Sequence, residues 1–230
     1  MFLVVKRKTL VIVISIVLVV VLFGGVFAIF GSVQKTLAFS KKVIVLDAGH
    51  GGVDKGVIGV NGTVESQKNL EITLRLGEML SDLGFLIIYT RKDDRELVGD
   101  GDTRKGRDFN ERKRIVEENN PDMVISIHCN KYPTENRRGI QVFYNQFNKD
   151  GKSLAKILQD GLNGLNSKYV GRNFSALKGD YFMLNCTEKP SVIIETGFLS
   201  SVEDEKLLND SEYLEKLCYA ITDGVIKYFE

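Results

Sequence analysis

The sequence predicts one α/β domain built on a twisted, mainly parallel β-sheet with helices on both faces, preceded by one N-terminal transmembrane or signal helix. Short runs of β-branched residues alternate with longer segments in which apolar residues recur at helical spacing, and this alternation predicts the class. The composition agrees, since 43% of the 230 residues are hydrophobic, 27% are charged and only three are proline. Such values are typical of a folded chain and exclude a disordered or collagen-like one.

Five short segments have the pattern of strands: residues 43–46, 85–89, 123–128, 139–144 and 191–194. The first, VIVL, is apolar at every position, which is typical of a strand that is buried on both faces of a parallel sheet. The last, SVII, directly follows Pro190 and is also rich in β-branched residues. The sequence contains no internal repeat, so a single domain is the simplest interpretation.

Five further segments have the pattern of helices: residues 65–83, 109–118, 151–165, 203–208 and 213–229. In the first of them, leucine or glycine recurs every three or four residues, and Gly84 ends the helix as a C-terminal glycine commonly does. Pro121 follows the end of the second helix. The segment before that helix, residues 91–108, is rich in Asp, Arg and Gly and is predicted to be a solvated flap rather than a binding site.

Residues 9–30 form an apolar run of 22 residues without a charge. About 20 apolar residues span a bilayer core, whereas the core of a signal peptide has about 7–15. The length therefore favours an uncleaved signal anchor, with a cleaved signal peptide as the alternative. Lys6, Arg7 and Lys8 place the N-terminus in the cytoplasm by the positive-inside rule. The predicted order is a cytoplasmic N-terminus at 1–8, the membrane segment at 9–30, a linker at 31–42 and an extracytoplasmic domain at 43–230.

Charge and cysteine content narrow the function classes. Residues 1–42 hold six of the 31 basic residues and no acid, which leaves 25 basic and 30 acidic residues, net −5, for the domain. A domain of that charge is a poor candidate for a nonspecific nucleic-acid binder, because such binders neutralise phosphates with basic side chains. Cys129, Cys186 and Cys218 have no close spacing and are expected to be free thiols.

Both histidines of the chain lie at or just past the carboxyl end of a predicted strand: His50 follows the first strand and His128 ends the third. Ligands bind at the carboxyl ends of strands in open α/β sheets, and a catalytic zinc often takes two histidines and a carboxylate. The pair therefore predicts a metal site, although two hydrogen-bonded structural histidines are the alternative and the short HExxH motif is absent. Glu65, which opens the helix after the His50 loop, is the best third ligand, and Asp54 is its competitor.

Glu195 is the other unusual residue, because it directly follows the apolar run SVII. A carboxylate in such a place is costly to bury unless it is paired or lies close to a metal. It is interpreted either as a general base that activates a water molecule or as an acid that caps the helix after it.

Four segments resemble one known family in the family's order. Residues 43–52 (VIVLDAGHGG) resemble the opening motif of the zinc-dependent N-acetylmuramoyl-L-alanine amidases, the group called amidase type 3. Residues 126–130 (SIHCN) resemble the second histidine motif of that family, and residues 139–144 resemble the strand that follows it. Residues 194–200 (IETGFLS) resemble the catalytic-glutamate motif. The resemblance covers roughly residues 43–229.

The resemblance implies a twisted, mainly parallel sheet flanked by helices, in an enzyme whose substrate is peptidoglycan. The bond that it implies is cut is the amide between the lactyl group of N-acetylmuramic acid and L-alanine of the stem peptide. It assigns His50, Glu65 and His128 as zinc ligands and Glu195 as the general base. Cys129 stands beside His128 where the family usually has alanine, and its thiol is expected to be buried and inert.

A membrane anchor, a bare catalytic domain and no appended wall-binding repeat resemble the spore-cortex amidases of endospore-forming bacteria. That resemblance implies removal of stem peptides during sporulation so that muramic δ-lactam, which germination needs, forms in the cortex. The enzyme would then lie outside the cytoplasmic membrane, in the space around the forespore, either anchored or secreted. The alternatives are a vegetative amidase for cell separation or wall turnover, a zinc peptidase that cuts within the stem peptide, and a noncatalytic wall-binding module. An activating protein partner is a further hypothesis, with residues 91–108 as its expected contact.

Overall fold

The structure is a computed structural model that describes residues 13, 14, 16–21, 42–134 and 136–230. The membrane segment predicted at 9–30 and the linker predicted at 31–42 lie largely outside these residues. Within the part of the chain that the structure describes, no helix is long and apolar enough to cross a membrane. The predicted boundaries of the N-terminal region therefore stay predictions.

The described residues form six strands of one sheet. In chain order they are β1 (Val43–Ala48), β2 (Leu86–Tyr89), β3 (Met123–Asn130), β4 (Gln141–Tyr144), β5 (Leu177–Lys178) and β6 (Ser191–Phe198). They lie side by side in the order β2-β1-β3-β6-β4-β5. Neighbouring strands are parallel except for β4 and β6, which are antiparallel. The prediction of a mainly parallel sheet in an α/β domain is confirmed.

The helices that pack with this sheet are α1 (Glu65–Asp82), α2 (Arg104–Asn119), α3 (Lys149–Val170), α4 (Phe182–Asn185), α5 (Val202–Leu208) and α6 (Ser211–Phe229). Polar side chains fix where several of them begin, because each accepts a hydrogen bond from a backbone N–H of the first turn. Thr103 does so before α2, Asn148 before α3 and Asp210 before α6. Gly171 ends α3 in the left-handed conformation that favours glycine.

The central strands send alternate side chains into two cores, as the pleat of a β-strand requires. Ile44 and Leu46 of β1 join a large apolar cluster with α1, α3 and α6, whereas Val45 between them joins a smaller cluster with α2 and α4. Helices therefore cover both faces of the sheet, as predicted. Each fully buried aliphatic side chain in these cores stabilises the fold by roughly 1.5–3 kcal/mol.

Two parts of the fold differ from the sequence prediction. Helix α2 begins at Arg104 rather than at 109, because Thr103 caps it while residues 104–108 (RKGRD) carry no large apolar side chain to mark the period. Strand β5 and helix α4 were not predicted, since two and four residues are too few to show any periodicity. Both changes affect the active-site region, because α2 and α4 pack beside the carboxyl ends of the central strands.

Candidate metal centre and active site

Three strands bring the predicted site residues to one edge of the sheet. His50 lies just after β1, and His128 lies near the carboxyl end of β3. Glu195 lies within β6 and pairs in register with His128. Because β3 pairs in parallel with both β1 and β6, these three positions meet at the same edge. Glu65, the first residue of α1, joins them because the loop after His50 turns back toward the sheet.

His50, Glu65 and His128 form one compact cluster. Their possible ligand atoms all lie within 4.8 Å of one another. Glu65 Oε1 lies 3.3 Å from His50 Nε2 and 3.1 Å from His128 Nδ1. The two imidazole rings are 5.0 Å apart between centroids and nearly perpendicular. Two imidazole nitrogens and one carboxylate oxygen therefore face a common point.

The cluster suits a metal ion in both chemistry and support. Two histidines and one carboxylate are a donor set typical of catalytic zinc, and the cluster could hold a metal ion. Backbone without side chains packs against it: a Cβ on Gly49 would lie 2.2 Å from the His128 ring, and a Cβ on Gly56 would lie 2.5 Å from Glu65 Oε2. The two glycines thus leave the ligands the space that they occupy.

Asp54 occupies a supporting position rather than a place in the cluster. Its Oδ2 atom lies 2.9 Å from His50 Nδ1, so it contacts the ring nitrogen that faces away from Glu65. A carboxylate on the outer nitrogen of a metal-binding histidine fixes the tautomer and the orientation of the ring. His50 itself has a φ of 60°, a left-handed conformation that is uncommon for any residue except glycine. The structure thus favours Glu65 over Asp54 as the third member.

Glu65 is held by both oxygens. Oε2 accepts a hydrogen bond from Val57 N at 2.8 Å, and Oε1 accepts one from Cys129 N at 3.2 Å. Burial raises the pKa of this carboxyl, but hydrogen bonds with His128 and His50 outweigh burial and hold the pKa well below its usual range. Burial likewise lowers the pKa of His50, but Glu65 and Asp54 raise it to about 9. A metal ion would replace that proton, because histidine binds metals in its neutral form.

Glu195 faces the cluster from β6. Its Oε2 atom is buried and has no hydrogen-bond partner among the described residues. Burial raises the pKa of Glu195 to about 7, and the charge of Glu65 adds to the rise, while His128 and His50 oppose it. The interpretation of Glu195 as a helix cap is wrong, because the next helix, α5, is capped by Ser201. An unpartnered carboxyl with a pKa near 7 is suited to proton transfer at neutral pH.

A cavity of about 510 Å³ opens beside the cluster. Its walls include His50, His128 and Glu195, and Phe109 and Phe182 stack on each other across α2 and α4 with ring centroids 4.5 Å apart. The prediction that 91–108 is only a solvated flap is wrong at both of its ends. Arg91 is buried, and residues from 96 to 108 line this cavity.

The comparisons with known proteins agree with this geometry. Residues 44–227 match the family described as N-acetylmuramoyl-L-alanine amidase. This chain belongs to that family. It is therefore an amidase, a hydrolase that acts on peptidoglycan, and the family resemblance noted in the sequence is confirmed.

Three relatives show how far the likeness extends. The amidase is 34% identical over 198 residues to the germination-specific N-acetylmuramoyl-L-alanine amidase of Bacillus subtilis (strain 168), covering 84% of this chain and 82% of that protein. It is 28% identical over 191 residues to N-acetylmuramoyl-L-alanine amidase LytC of the same strain, but this match covers 82% of the chain and only 36% of LytC. The structure of the CwlD amidase from Clostridioides difficile in complex with the GerS lipoprotein matches with a TM-score of 0.75 and 37% identity, covering 82% of this chain and 98% of that one.

Three charged residues beneath the amidase site escaped the sequence analysis: Asp47, Arg91 and Arg112. All three are almost fully buried. Asp47 accepts hydrogen bonds from Thr90, Ser126 and Arg112, so its carboxylate connects three strands and α2. One signal was present, since Asp47 ends the run VIVL much as Glu195 ends SVII. Nothing in the sequence distinguishes the two arginines from their exposed neighbours.

All three cysteines of the amidase are free, as predicted. Cys129 is buried, and its Sγ atom lies 3.4 Å from Thr196 Oγ1. Burial holds the pKa of the Cys129 thiol well above its usual range, and the nearby carboxylates of Glu65 and Glu195 raise it further. Because the thiolate is the reactive form, this cysteine is inert in its present surroundings.

Proposed function

We propose that this amidase hydrolyses the amide between the lactyl group of N-acetylmuramic acid and L-alanine of the stem peptide, with zinc as its metal and Glu195 as the general base. The observation that carries the proposal is the position of Glu195. Its buried, unpartnered Oε2 faces a cavity that it shares with His50 and His128. Such an arrangement leaves the carboxylate free to exchange a proton with a molecule bound in that cavity.

His50, Glu65 and His128 would hold the metal, since their donor atoms meet and their chemistry suits zinc. Zinc bound there would supply Lewis acidity, which polarises a carbonyl and makes water a nucleophile near neutral pH. Asp54 would keep His50 in the tautomer that leaves Nε2 free as a ligand. Val57 N and Cys129 N would keep the Glu65 carboxylate aimed at the two rings.

Glu195 would act twice in one turnover. It takes a proton from the attacking water while the water oxygen bonds to the lactyl carbonyl carbon. It then returns that proton to the nitrogen of L-alanine, and the carbon–nitrogen bond breaks. The products are a carboxylic acid on the glycan and a stem peptide with a free amine. General acid–base transfer of this kind typically contributes 10²–10⁴-fold, or about 3–5 kcal/mol.

Product analysis on purified peptidoglycan tests the reaction and the base together. The full chain incubated with zinc is expected to release stem peptides that begin at L-alanine, detectable by mass spectrometry. Glu195→Gln is expected to bind zinc as the wild type does and to lose activity by roughly 10²–10⁴-fold. Glu215→Gln, an exposed carboxylate on α6, is the matched control and should retain full activity. Normal release by Glu195→Gln would disprove the assigned base, and fragments cut inside the stem peptide would indicate a peptidase.

The biological setting that we propose is maturation of the spore cortex, where stem-peptide removal precedes formation of muramic δ-lactam. Two likenesses support this setting: a relative that is named germination-specific and the CwlD amidase structure. Deletion of the gene is expected to abolish muramic δ-lactam in purified cortex and to leave vegetative cells normally separated. Cortex with normal δ-lactam, together with chains of unseparated cells, would favour the vegetative alternative that the similarity to LytC represents.

A lipoprotein partner and an extracytoplasmic location complete the proposal. The CwlD amidase was solved in complex with the GerS lipoprotein, and a partner of that class would suit this chain, which resembles CwlD over most of its length. The enzyme would act in the space around the forespore, held by residues 9–30 or released after their cleavage. Protease accessibility in intact cells tests the location, and N-terminal sequencing of the mature protein tests the cleavage. Copurification of a lipoprotein from sporulating cells tests the partner.

A further inference from the structure

Two buried arginines grip the backbone that presents His50. The carbonyl oxygens of three consecutive residues, Ala48, Gly49 and His50, all accept hydrogen bonds from Arg91 or Arg112. Ala48 O accepts from both, at 2.9 Å in each case. This is the stretch in which the chain leaves β1 and His50 takes its left-handed conformation. The turn is thus fixed from outside by side chains of two other segments.

Arg112 uses every N–H donor that its guanidinium has. It donates to the carbonyls of Ala48 and His50, to the Asp47 carboxylate and through two nitrogens to Asp108. Asp47 in turn accepts from Ser126 of β3, the strand that carries His128. Arg112 therefore connects the His50 turn, through one carboxylate, to the strand of the second histidine.

Arg91 makes the corresponding connection to the third ligand. Its guanidinium donates to Ala48 O and to Gly49 O, and also to Ser66 O at 2.7 Å. Ser66 is the second residue of α1 and directly follows Glu65. The two arginines together therefore join all three segments that carry His50, Glu65 and His128.

Stability alone does not account for this arrangement. Burial lowers the pKa of Arg91, and the charge of Arg112 lowers it further, which shows that the two like charges repel each other. Buried charges are costly to desolvate, and apolar side chains of similar volume commonly stabilise a core at least as well. What a guanidinium adds is a planar fork of donors at fixed angles, which can hold several carbonyl oxygens at once.

We propose that Arg91 and Arg112 are positioning residues for the metal centre, which fix the His50 turn relative to Glu65 and His128 so that the three donor atoms converge. The inference rests on the proposed metal site and extends it to residues that do not contact the ligand atoms. Residues in such a supporting role typically change metal affinity by 10–100-fold when they are replaced. A lysine keeps the charge but lacks the fork, so Arg→Lys isolates the geometry.

The test measures zinc affinity by competition with a chromophoric chelator, on the full chain at a temperature where every variant is folded. Arg91→Lys and Arg112→Lys are each expected to bind zinc 10–100-fold more weakly than the wild type. Arg114→Lys is the matched control, because Arg114 lies on the same helix but is exposed and pairs only with Glu111 and Glu118. Leu217→Ala, in the core against α6, is the second control, because it destabilises the fold far from the site.

Unchanged zinc affinity in both arginine variants would overturn the inference, and so would an equal loss in Leu217→Ala. If Arg112→Lys does not fold, Asp108→Asn replaces it, since that change loosens Arg112 without removing it. A second readout uses metal-free protein: amide hydrogen exchange at residues 49–52 is expected to be faster in the arginine variants and unchanged in Arg114→Lys. A wild type that binds no zinc would refute the proposed metal site, and the exchange measurement would still decide whether the arginines fix the turn.

Discussion

The apolar face under α1, α3 and α6 and the edge that carries the site are built in opposite ways. The face consists of aliphatic side chains such as Leu217 and Ile221, which are fully buried. The edge instead buries charged groups, among them Asp47 and Glu65, and satisfies them with fixed partners. Apolar burial stabilises without requiring direction, whereas each buried charge requires a precise partner. The difference indicates that stability and chemistry depend on separate parts of this domain.

Removal of the metal tests that separation most strongly. A chelator is expected to abolish amidase activity completely, and added zinc is expected to restore it. The domain should stay folded, because its apolar cores contain none of the proposed ligands. At zinc 100-fold above its dissociation constant, binding stabilises by about 2.7 kcal/mol, so the melting temperature should fall by roughly 5–10 °C without metal. Unfolding on chelation, followed by circular dichroism, would show that the face depends on the edge.

Truncation of the core is the converse change. Leu217→Ala is expected to reduce the free energy of unfolding by about 2–5 kcal/mol, because it removes buried methyl groups and leaves a cavity. Zinc affinity and kcat, measured well below the melting temperature, should remain at the wild-type level. Denaturant titration gives the first quantity, and chelator competition gives the second. A parallel loss of zinc affinity would show that packing on this face reaches the site.

One glycine substitution at the edge should alter the site more than the fold. A Cβ on Gly49 would lie 2.2 Å from the His128 ring, so Gly49→Ala must displace that ring. We expect zinc to bind roughly 10-fold more weakly or worse, as when support of a ligand is lost. Chelator competition measures the effect, and wild-type affinity in this variant would mean that the ring can move without cost.

The same substitution on a helix surface is its control and has the smallest expected effect. Gly164 lies on the exposed side of α3, and a Cβ there would meet nothing within 4 Å. Gly164→Ala is expected to stabilise the domain by about 0.5–1 kcal/mol, since alanine loses less backbone entropy in a helix. Zinc affinity should not change. Denaturant titration checks the gain, and a loss of stability would contradict the open surroundings of this position.

Local pattern was enough to predict most of the fold and all four proposed site residues. Strands β1, β3 and β6 are short apolar runs, and His50, His128 and Glu195 stand out because each is polar at or after such a run. Parallel strands then place their carboxyl ends at one edge. Glu65 followed only from the helix after the first loop, and the structure places it against both histidines.

The supporting network was not predictable in the same way. Arg112 and Arg114 lie on one helix and look equivalent in the sequence, yet Arg112 is buried under the His50 turn and Arg114 is exposed. Which arginine turns inward depends on how α2 packs, and the start of α2 was itself predicted too late in the chain. The antiparallel direction of β4 also depends on long-range pairing that no short segment encodes.

The order of strands has a consequence for when this enzyme becomes active. Strand β6 follows all the other strands along the chain, yet in the sheet it lies between β3 and β4. Pairings between segments so far apart in sequence form slowly, because a long loop must close before any contact is gained. Glu195 reaches His128 only when β6 has inserted between its neighbours. Hydrolytic activity is therefore gained in one late step of folding, and a partly folded chain has no means of cutting the cell wall.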